Sequence, residues 1–428
     1  MKDTFKEIIV FNQTRLGKRP LFERAYNIPS HIPQMLVITG PRRCGKTSLL
    51  HLCASQLLQK GIDRKDIVFI NFEDERIAHS SSSLNELLVA WQELYPNRDL
   101  SEVHFFFDEL HAIEGWQKFV ARIFENISSN IYLSGSNSKL LSREIATELR
   151  GRSYPIEMFT LTFSEYLHAK KVEGNRHDIA FKAKLKNEFD YYLKQGGFPG
   201  NIHLNPQENI KILQEHFNTM MYRDLVERYA ISSPKALKFL LKRVYANISK
   251  PTSVNKIYNE MKSAGFKVSK NSLYEWLDMA ETVYLFQRCN KLQASVTKNL
   301  TASTKYYAID HGLMTAMNHK YSENFGLLLE NLVFIQLRKE GREISYYKDK
   351  YECDFVVYQS EMPVKAIQVC YKMQETNTRE REIRGLVEAC KFLKLSSGSI
   401  ITAEEEGELE RDGVEIKIIP YFKAFDEI

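Results

Sequence analysis

Short apolar runs set between polar turns dominate the first third of the chain. MLVIT (35–39), DIVFINFEDE (66–75), SEVHFFFDELH (101–111) and SNIYLSGSNSKLLS (129–142) each read as a buried strand, and LRGRSYPIEMFTLTFSEYL (149–167) leads into a fifth. Continuous apolar runs of this length, alternating with helical text, predict a parallel sheet covered on both faces. From 181 to 230 the pattern turns helical, beginning FKAKLKNEFDYYLKQGGFPGNI and ending MMYRDLVERYAI. Gly196-Gly197-Phe198-Pro199-Gly200 breaks these helices sharply.

Three further helices follow: ALKFLLKRVYANIS, PTSVNKIYNEMKSAG and VSKNSLYEWLDMAETVYL. Ser253 is a plausible N-cap for the second and Gly265 its stop, while Ser269 or Asn271 begins the third. LFQRCNK and KYYAIDHGL then look like two strands of a hairpin, so that residues 235–310 spell a winged helix-turn-helix. Near the end, GLLLENLVFIQLRKEG (326–341) is an amphipathic helix carrying Glu330. The strands EISYYKD, ECDFVVYQ and VKAIQVCYK, the helix EIRGLVEACKFLKLSSG and the strand GSIIT complete a βββαβ order.

Candidate chemistry is concentrated after the first strand. GPRRCGKT spans Gly40 to Thr47 and matches G-x-x-x-x-G-K-[ST] between a strand and a helix. Its glycines let backbone N–H groups curl around a phosphate, and the helix N-terminus adds a favourable dipole. The loop residues Gly40, Pro41, Arg42, Arg43, Cys44, Gly45, Lys46, Thr47 and Ser48 are therefore expected to hold a nucleotide. Lys46 is expected to reach the β and γ phosphates, and the Thr47 hydroxyl to ligate Mg²⁺. Asp108, ending the strand HFFFD, is the second expected Mg²⁺ holder, and Glu109 beside it the base that deprotonates water. Ser136 or Asn137 at the next strand's edge is placed to sense the γ phosphate. Arg150 and Arg152 leave two readings open: a finger reaching phosphate from a neighbouring subunit or domain, or a pair with a local carboxylate. An extra strand between loop and Asp108, plus the adjacent Glu109, indicates the additional-strand class of P-loop ATPases. His203 and His216 are isolated and suggest no ligand role.

Composition narrows the class. A chain of 428 residues predicts several domains, and no apolar run approaches the roughly 20 residues that span a bilayer. The opening MKDTFKEIIVFNQTRLGKR lacks the apolar centre of a signal peptide, and six scattered cysteines form no CxxC pair, so a reducing cytoplasm is expected. Net charge is +5, but residues 234–300 hold twelve Lys and Arg against four Asp and Glu. That surplus suits phosphate contacts, with Lys270, Asn271, Tyr274 and Glu275 at the base-facing end of the third helix. Winged helices in ATPases also serve as packing or oligomerisation modules, and that alternative stays open.

The C-terminal βββαβ order, entered from a helix carrying Glu330, resembles the core of restriction-endonuclease-like nucleases. Such sites need an Asp on one strand and (D/E)-x-K on the next, so that carboxylates grip Mg²⁺ and a lysine steadies the developing charge. Here the positions read Asp354, Gln368 and Cys370. Glutamine offers a neutral oxygen, cysteine no charge, and Lys372, two residues further on the same strand face, is the one candidate for a migrated lysine. The site reads as a relic.

Taken in order, GPRRCGKT, FFFDELH, YLSGSNSKLLS, LRGR before TLTFSEYL, YLKQGGFPGNI, and GLLLENLVF followed by ECDFVV resemble the predicted prokaryotic AAA-superfamily ATPases with a C-terminal nuclease-like domain of unknown function. The resemblance covers nearly the whole chain. It implies ATP binding through Lys46 and Thr47, Mg²⁺ through Thr47 and Asp108, and hydrolysis assisted by Glu109. Members usually show a glutamate and a lysine where this chain has Gln368 and Cys370, which counts against nuclease activity. The expected fold is thus α/β: a P-loop ATPase core over 1–170, a helical lid over 171–233, a winged helix-turn-helix over 234–320 and a restriction-endonuclease-like domain over 321–428. The expected function is an ATP-hydrolysing switch with ATP and Mg²⁺ as cofactors. DNA, a protein or a further copy of the chain is the expected partner, and no membrane. The alternatives are an ATP-gated DNA nuclease and a non-catalytic nucleotide-regulated binding module.

Overall fold

Each apolar run of the first third folds as a strand, and both of its faces are covered. A computed structural model describes residues 1–18, 21–26, 28, 33–78, 83–113, 115–137, 149, 151–175, 178–292 and 303–425. The chain divides into two units, Met1–Met158 and Phe159–Ile428. In the first, helix α1 (Lys2–Arg15) precedes β1 (Met35–Thr39), α2 (Lys46–Gln59), β2 (Ile67–Asn71) and α3 (Ser83–Leu94). Strand β3 (His104–Asp108), α4 (Trp116–Asn126), β4 (Ile131–Gly135) and β5 (Ser153–Glu157) complete it.

The sheet is parallel throughout, in the order β2-β3-β4-β1-β5. The strand inserted between β1 and β3 in space is β4, whereas β2, which lies between them in sequence, is the edge. Met35, Val37, Phe105 and Phe107 face one core with Phe5, Trp91 and Phe119. Leu36, Ile38 and Phe106 face the other, against Leu49, Leu50 and Cys53 of α2. Side chains alternate with period two, but both sides are buried, so the sequence shows continuous runs. Helix α1, unpredicted from sequence, covers the β2 edge: Asn12 donates to the Phe69 carbonyl at 2.7 Å and Gln13 to that of Ile67 at 3.1 Å. Such cover removes an exposed strand edge.

The second unit opens with helices α5 (Phe163–Ala169), α6 (Ile179–Gln195) and α7 (Pro206–Thr219), then a π-helical stretch, Met220–Glu227. Next come α8 (Pro234–Tyr245), α9 (Val254–Ser263), α10 (Lys270–Thr282), β6 (Phe286–Lys291) and β7 (Thr304–Ala308). The helices α11 (His311–Met317) and α12 (Phe325–Lys339) lead into β8 (Glu343–Lys348), β9 (Glu352–Gln359) and β10 (Met362–Val369). The unit ends with α13 (Thr376–Leu393), β11 (Ser397–Thr402), β12 (Gly407–Arg411), β13 (Val414–Pro420) and a single turn, α14 (Tyr421–Ala424).

Its sheet has eight strands in the order β12-β13-β11-β10-β9-β8-β6-β7. The hairpin β6–β7, expected as a wing, is the edge of this sheet and joins it through parallel pairing of β6 with β8. Residues 234–320 and 321–428, expected as separate domains, therefore share one sheet. Strands β12 and β13 were not expected from sequence, although Asp412-Gly413 between two alternating runs is a hairpin signal. The first three residues of the break, Gly196, Gly197 and Phe198, are buried, while Gly200 is exposed. Asp310 accepts hydrogen bonds from the Gly197 N–H at 2.8 Å and the Gly312 N–H at 2.9 Å. Among the described residues no helix is long and apolar enough to cross a membrane, and all six cysteines are free and buried.

Candidate functional site

At the C-terminal edge of the first sheet, β1 leads into a loop that only glycine permits at two points. Gly40 sits at φ 150°, and a Cβ there would stand 2.1 Å from the Met158 carbonyl oxygen. Gly45 takes φ 108° and caps α2 with no side-chain hydrogen bond, which leaves the helix's first N–H groups without a side-chain partner. These are the donors that hold a phosphate in a strand–loop–helix site.

The side chains behind the loop form one connected cluster. Lys46 is 4% exposed, and its ammonium donates to the carbonyls of Gly40 and Pro41, both at 3.0 Å. It lies 3.6 Å from a Glu109 carboxylate oxygen. The Thr47 hydroxyl donates to Asp108 Oδ2 at 2.8 Å, and the Ser134 hydroxyl donates to Oδ1. Glu109 takes a left-handed backbone, φ 53°, which turns its carboxylate back toward β4. There the Ser136 N–H donates to Oε2 at 3.0 Å, and His111 Nδ1 lies 3.2 Å from the same oxygen.

The two adjacent acids are tuned apart. Burial, reinforced by the Glu109 charge, pushes Asp108 up to about 6. Burial also raises Glu109, but Lys46, His111, Arg42 and the Ser136 N–H outweigh it and hold this carboxyl below the ordinary range. The neighbouring pair thus differs in acidity, Asp108 above and Glu109 below the ordinary carboxylate range.

The expected residues fall unequally around this cluster. Gly40, Pro41, Cys44, Gly45, Lys46, Thr47, Asp108 and Glu109 come together. Arg42 pairs with Glu73 at 3.0 Å, Arg43 and Ser48 are exposed on the loop, and Asn137 follows Ser136 at the end of β4. Arg152 lies elsewhere. Its backbone carbonyl accepts from the Met35 N–H, at the opposite end of β1. Five residues of strand put it about 15 Å from the loop. Its guanidinium pairs with Glu125, the second of the two readings open from sequence. Arg150 lies outside the described residues. Sequence reading missed Ser134, His111 and Arg24, whose guanidinium donates to the Cys44 carbonyl at 2.8 Å. Only Ser134 left a signal, a hydroxyl inside the apolar run IYLSG.

In the second unit, Glu330, Asp354 and Gln368 converge on the floor of a cleft of about 1200 Å³. Antiparallel pairing of β9 with β10 sets Asp354 beside Gln368, whose side-chain oxygen accepts from the Asp354 N–H at 3.2 Å. Cys370 does not point at these acids. Its thiol donates to the Lys372 carbonyl at 3.1 Å, and it packs with the α13 core. Lys372 is exposed at the rim. The cation at the floor is one the sequence did not nominate, Lys305 of β7, which is 0% exposed. Burial, reinforced by Asp354, pushes Glu330 up to about 8.

Comparison with known proteins agrees with the first unit's geometry. Residues 33–167 match an AAA domain family, 186–324 a domain of unknown function (DUF8612), and 325–422 another (DUF4143). An uncharacterized protein of Methanocaldococcus jannaschii, MJ1544, is 37% identical, covering 99% of this chain and 95% of its own. An uncharacterized protein of Haemophilus influenzae is 28% identical over 89% of this chain and 92% of its own. Among solved structures, the Walker-type ATPase PABY2304 of Pyrococcus abyssi covers 70% of this chain and 98% of its own, with 16% identity and a TM-score of 0.44. The chain belongs to the family of the archaeal protein MJ1544, and its nucleotide-binding domain is that of an AAA-type ATPase.

Proposed function

We propose that this chain binds and hydrolyses ATP at the loop from Gly40 to Ser48, and that nucleotide state switches what the second unit binds. The observation that carries this reading is the cluster itself: Lys46 held inside the loop, Thr47 on Asp108, and Glu109 tied to the Ser136 N–H. Lys46 and the α2 N–H groups would hold the phosphates. Thr47 and Asp108 would hold Mg²⁺, which when bound supplies charge neutralisation at the phosphates. Lys46 must exchange its bonds to Gly40 and Pro41 for bonds to phosphate, so filling the site reshapes the loop. Glu109, ionised and fixed at two points, orients the attacking water and takes its proton.

Phosphate release tests this. Glu109→Gln is expected to slow release by roughly 10²–10⁴-fold with ATP affinity retained, and Lys46→Ala to abolish ATP binding. Release that survives Glu109→Gln unchanged would remove the proposal.

We infer further that the second unit holds a helical lid over 171–233, a winged helix-turn-helix over 234–320 whose hairpin β6–β7 also forms the edge of the eight-stranded sheet, and a restriction-endonuclease-like domain over 321–428 that no longer cuts. Support for a nucleic-acid contact is the start of α10. There Asn271 and Glu275 are exposed, and the Lys270 ammonium lies 5.9 Å from the Tyr274 ring. Arg152 enters this scheme only through a homo-oligomer, by reaching a neighbouring copy.

A further inference from the structure

The cleft floor in the second unit carries an ammonium, Lys305, where the restriction-endonuclease-like reading proposed above, on which this inference rests, would place a divalent metal. Lys305 Nζ stands 2.8 Å from Glu352, 3.0 Å from Glu330 and 3.1 Å from Asp354, and 5.5 Å from the centre of the Tyr346 ring. Other donors bond the same three carboxylates. Asp354 Oδ2 accepts from the Val369 N–H at 3.0 Å, and Glu352 Oε2 from Lys348 at 2.9 Å. Glu330 Oε1 also accepts from the Tyr307 hydroxyl at 2.7 Å. Gln368, where a second carboxylate would be needed, accepts from the Asp354 N–H through its oxygen and donates one amide hydrogen to Glu382, itself paired with Arg381.

A small hard cation needs several oxygens turned toward one point at about 2.0–2.1 Å. Here the carboxylates converge at hydrogen-bond distance on a nitrogen. Among the described residues no group of three His, Cys, Asp or Glu is disposed to hold a metal. The residues present do not fit a divalent ion.

We propose that Lys305, delivered by the β6–β7 hairpin, is the resident cation of this cleft, filling the metal position and closing the site to divalent metal. The replacement is then twofold: Gln368 withdraws a ligand charge, and Lys305 supplies a permanent positive one. A covalently tethered ammonium cannot dissociate, so the cleft keeps its acid floor assembled in any ionic medium. It lacks the Lewis acid that a bound metal supplies in metal-assisted phosphodiester cleavage. This inference is independent of ATP turnover.

The test is Mn²⁺ binding to the full chain without nucleotide, read by paramagnetic resonance, with Asp354→Asn marking binding in the cleft. The wild type is expected to show no Mn²⁺ site that Asp354→Asn removes, and to leave plasmid DNA intact in Mn²⁺. Lys305→Met is expected to gain one such site, at least tenfold tighter than anything Asp354-dependent in the wild type, and to lose it in Lys305→Met/Asp354→Asn. A Lys305→Met protein that folds only with Mn²⁺ supports the proposal equally. If that variant does not fold under any condition, the wild-type measurement decides. An Asp354-dependent Mn²⁺ site or DNA cleavage in the wild type overturns the proposal, as does a folded Lys305→Met protein that gains no site.

Discussion

Two neighbouring carboxylates, Asp108 and Glu109, show how little residue type alone says about charge. Both are buried, yet one is pushed up to about 6 and the other held down, because Lys46 and His111 lie near Glu109 while Thr47 and Ser134 give Asp108 only hydroxyls. The sign of the stability effect follows. Asp108 binds its proton more tightly folded, at about 6, than at its ordinary 3.8, so ionising it costs stability as pH rises through 6. Asp108→Asn, which cannot ionise, should therefore be more stable than wild type at pH 8 by about 1–3 kcal/mol. That advantage should shrink to nothing below pH 4. Urea unfolding at several pH values checks this, and a difference independent of pH would contradict it. Such a gain on removing a functional group is the usual mark of a site kept under strain for activity.

At the scale of elements, the turn Gly196–Gly200, buried over its first three residues, separates local from tertiary logic. The sequence marks a break there, and the residues that break a helix do so through backbone freedom: Gly196 sits at φ 83°. What the break is for depends on Asp310, more than a hundred residues later, which holds the Gly197 and Gly312 N–H groups together. Asp310→Ala leaves both buried donors unpaired and should cost roughly 2–5 kcal/mol. The unfolding midpoint of the full chain checks this, and a loss below 1 kcal/mol would mean that water replaces the carboxylate. The hairpin β6–β7 makes the same point. Its strands were legible from alternation, but whether it stands free as a wing or extends a sheet depends on β8, which shares no local signal with it.

Across the whole molecule, charge is the property that sequence and structure describe in different terms. Residues 234–300 carry a surplus of Lys and Arg, and a DNA contact there should weaken steeply with salt as counterions are released. Gel-shift affinity measured at 50 and 200 mM salt should fall by orders of magnitude. Affinity indifferent to salt points to a protein partner. Phosphate release measured in the same buffers with and without DNA tests the proposed nucleotide switch. The sequence by itself marked neither α1 nor the partners Ser134, His111 and Arg24, but it did mark the first unit's strand runs, its glycine-bounded loop, and Lys46, Thr47, Asp108 and Glu109 as neighbours of that loop. Those features are local, since a glycine-bounded turn between a strand and a helix needs no distant residue to be recognised. Only the tertiary structure decided where Arg152 lies, that Cys370 turns to the core, and that Lys305 stands among Glu330, Glu352 and Asp354. Strand order and side-chain facing bring those groups together across 25 to 49 positions. Composition holds no record of which buried lysine will meet which buried acid.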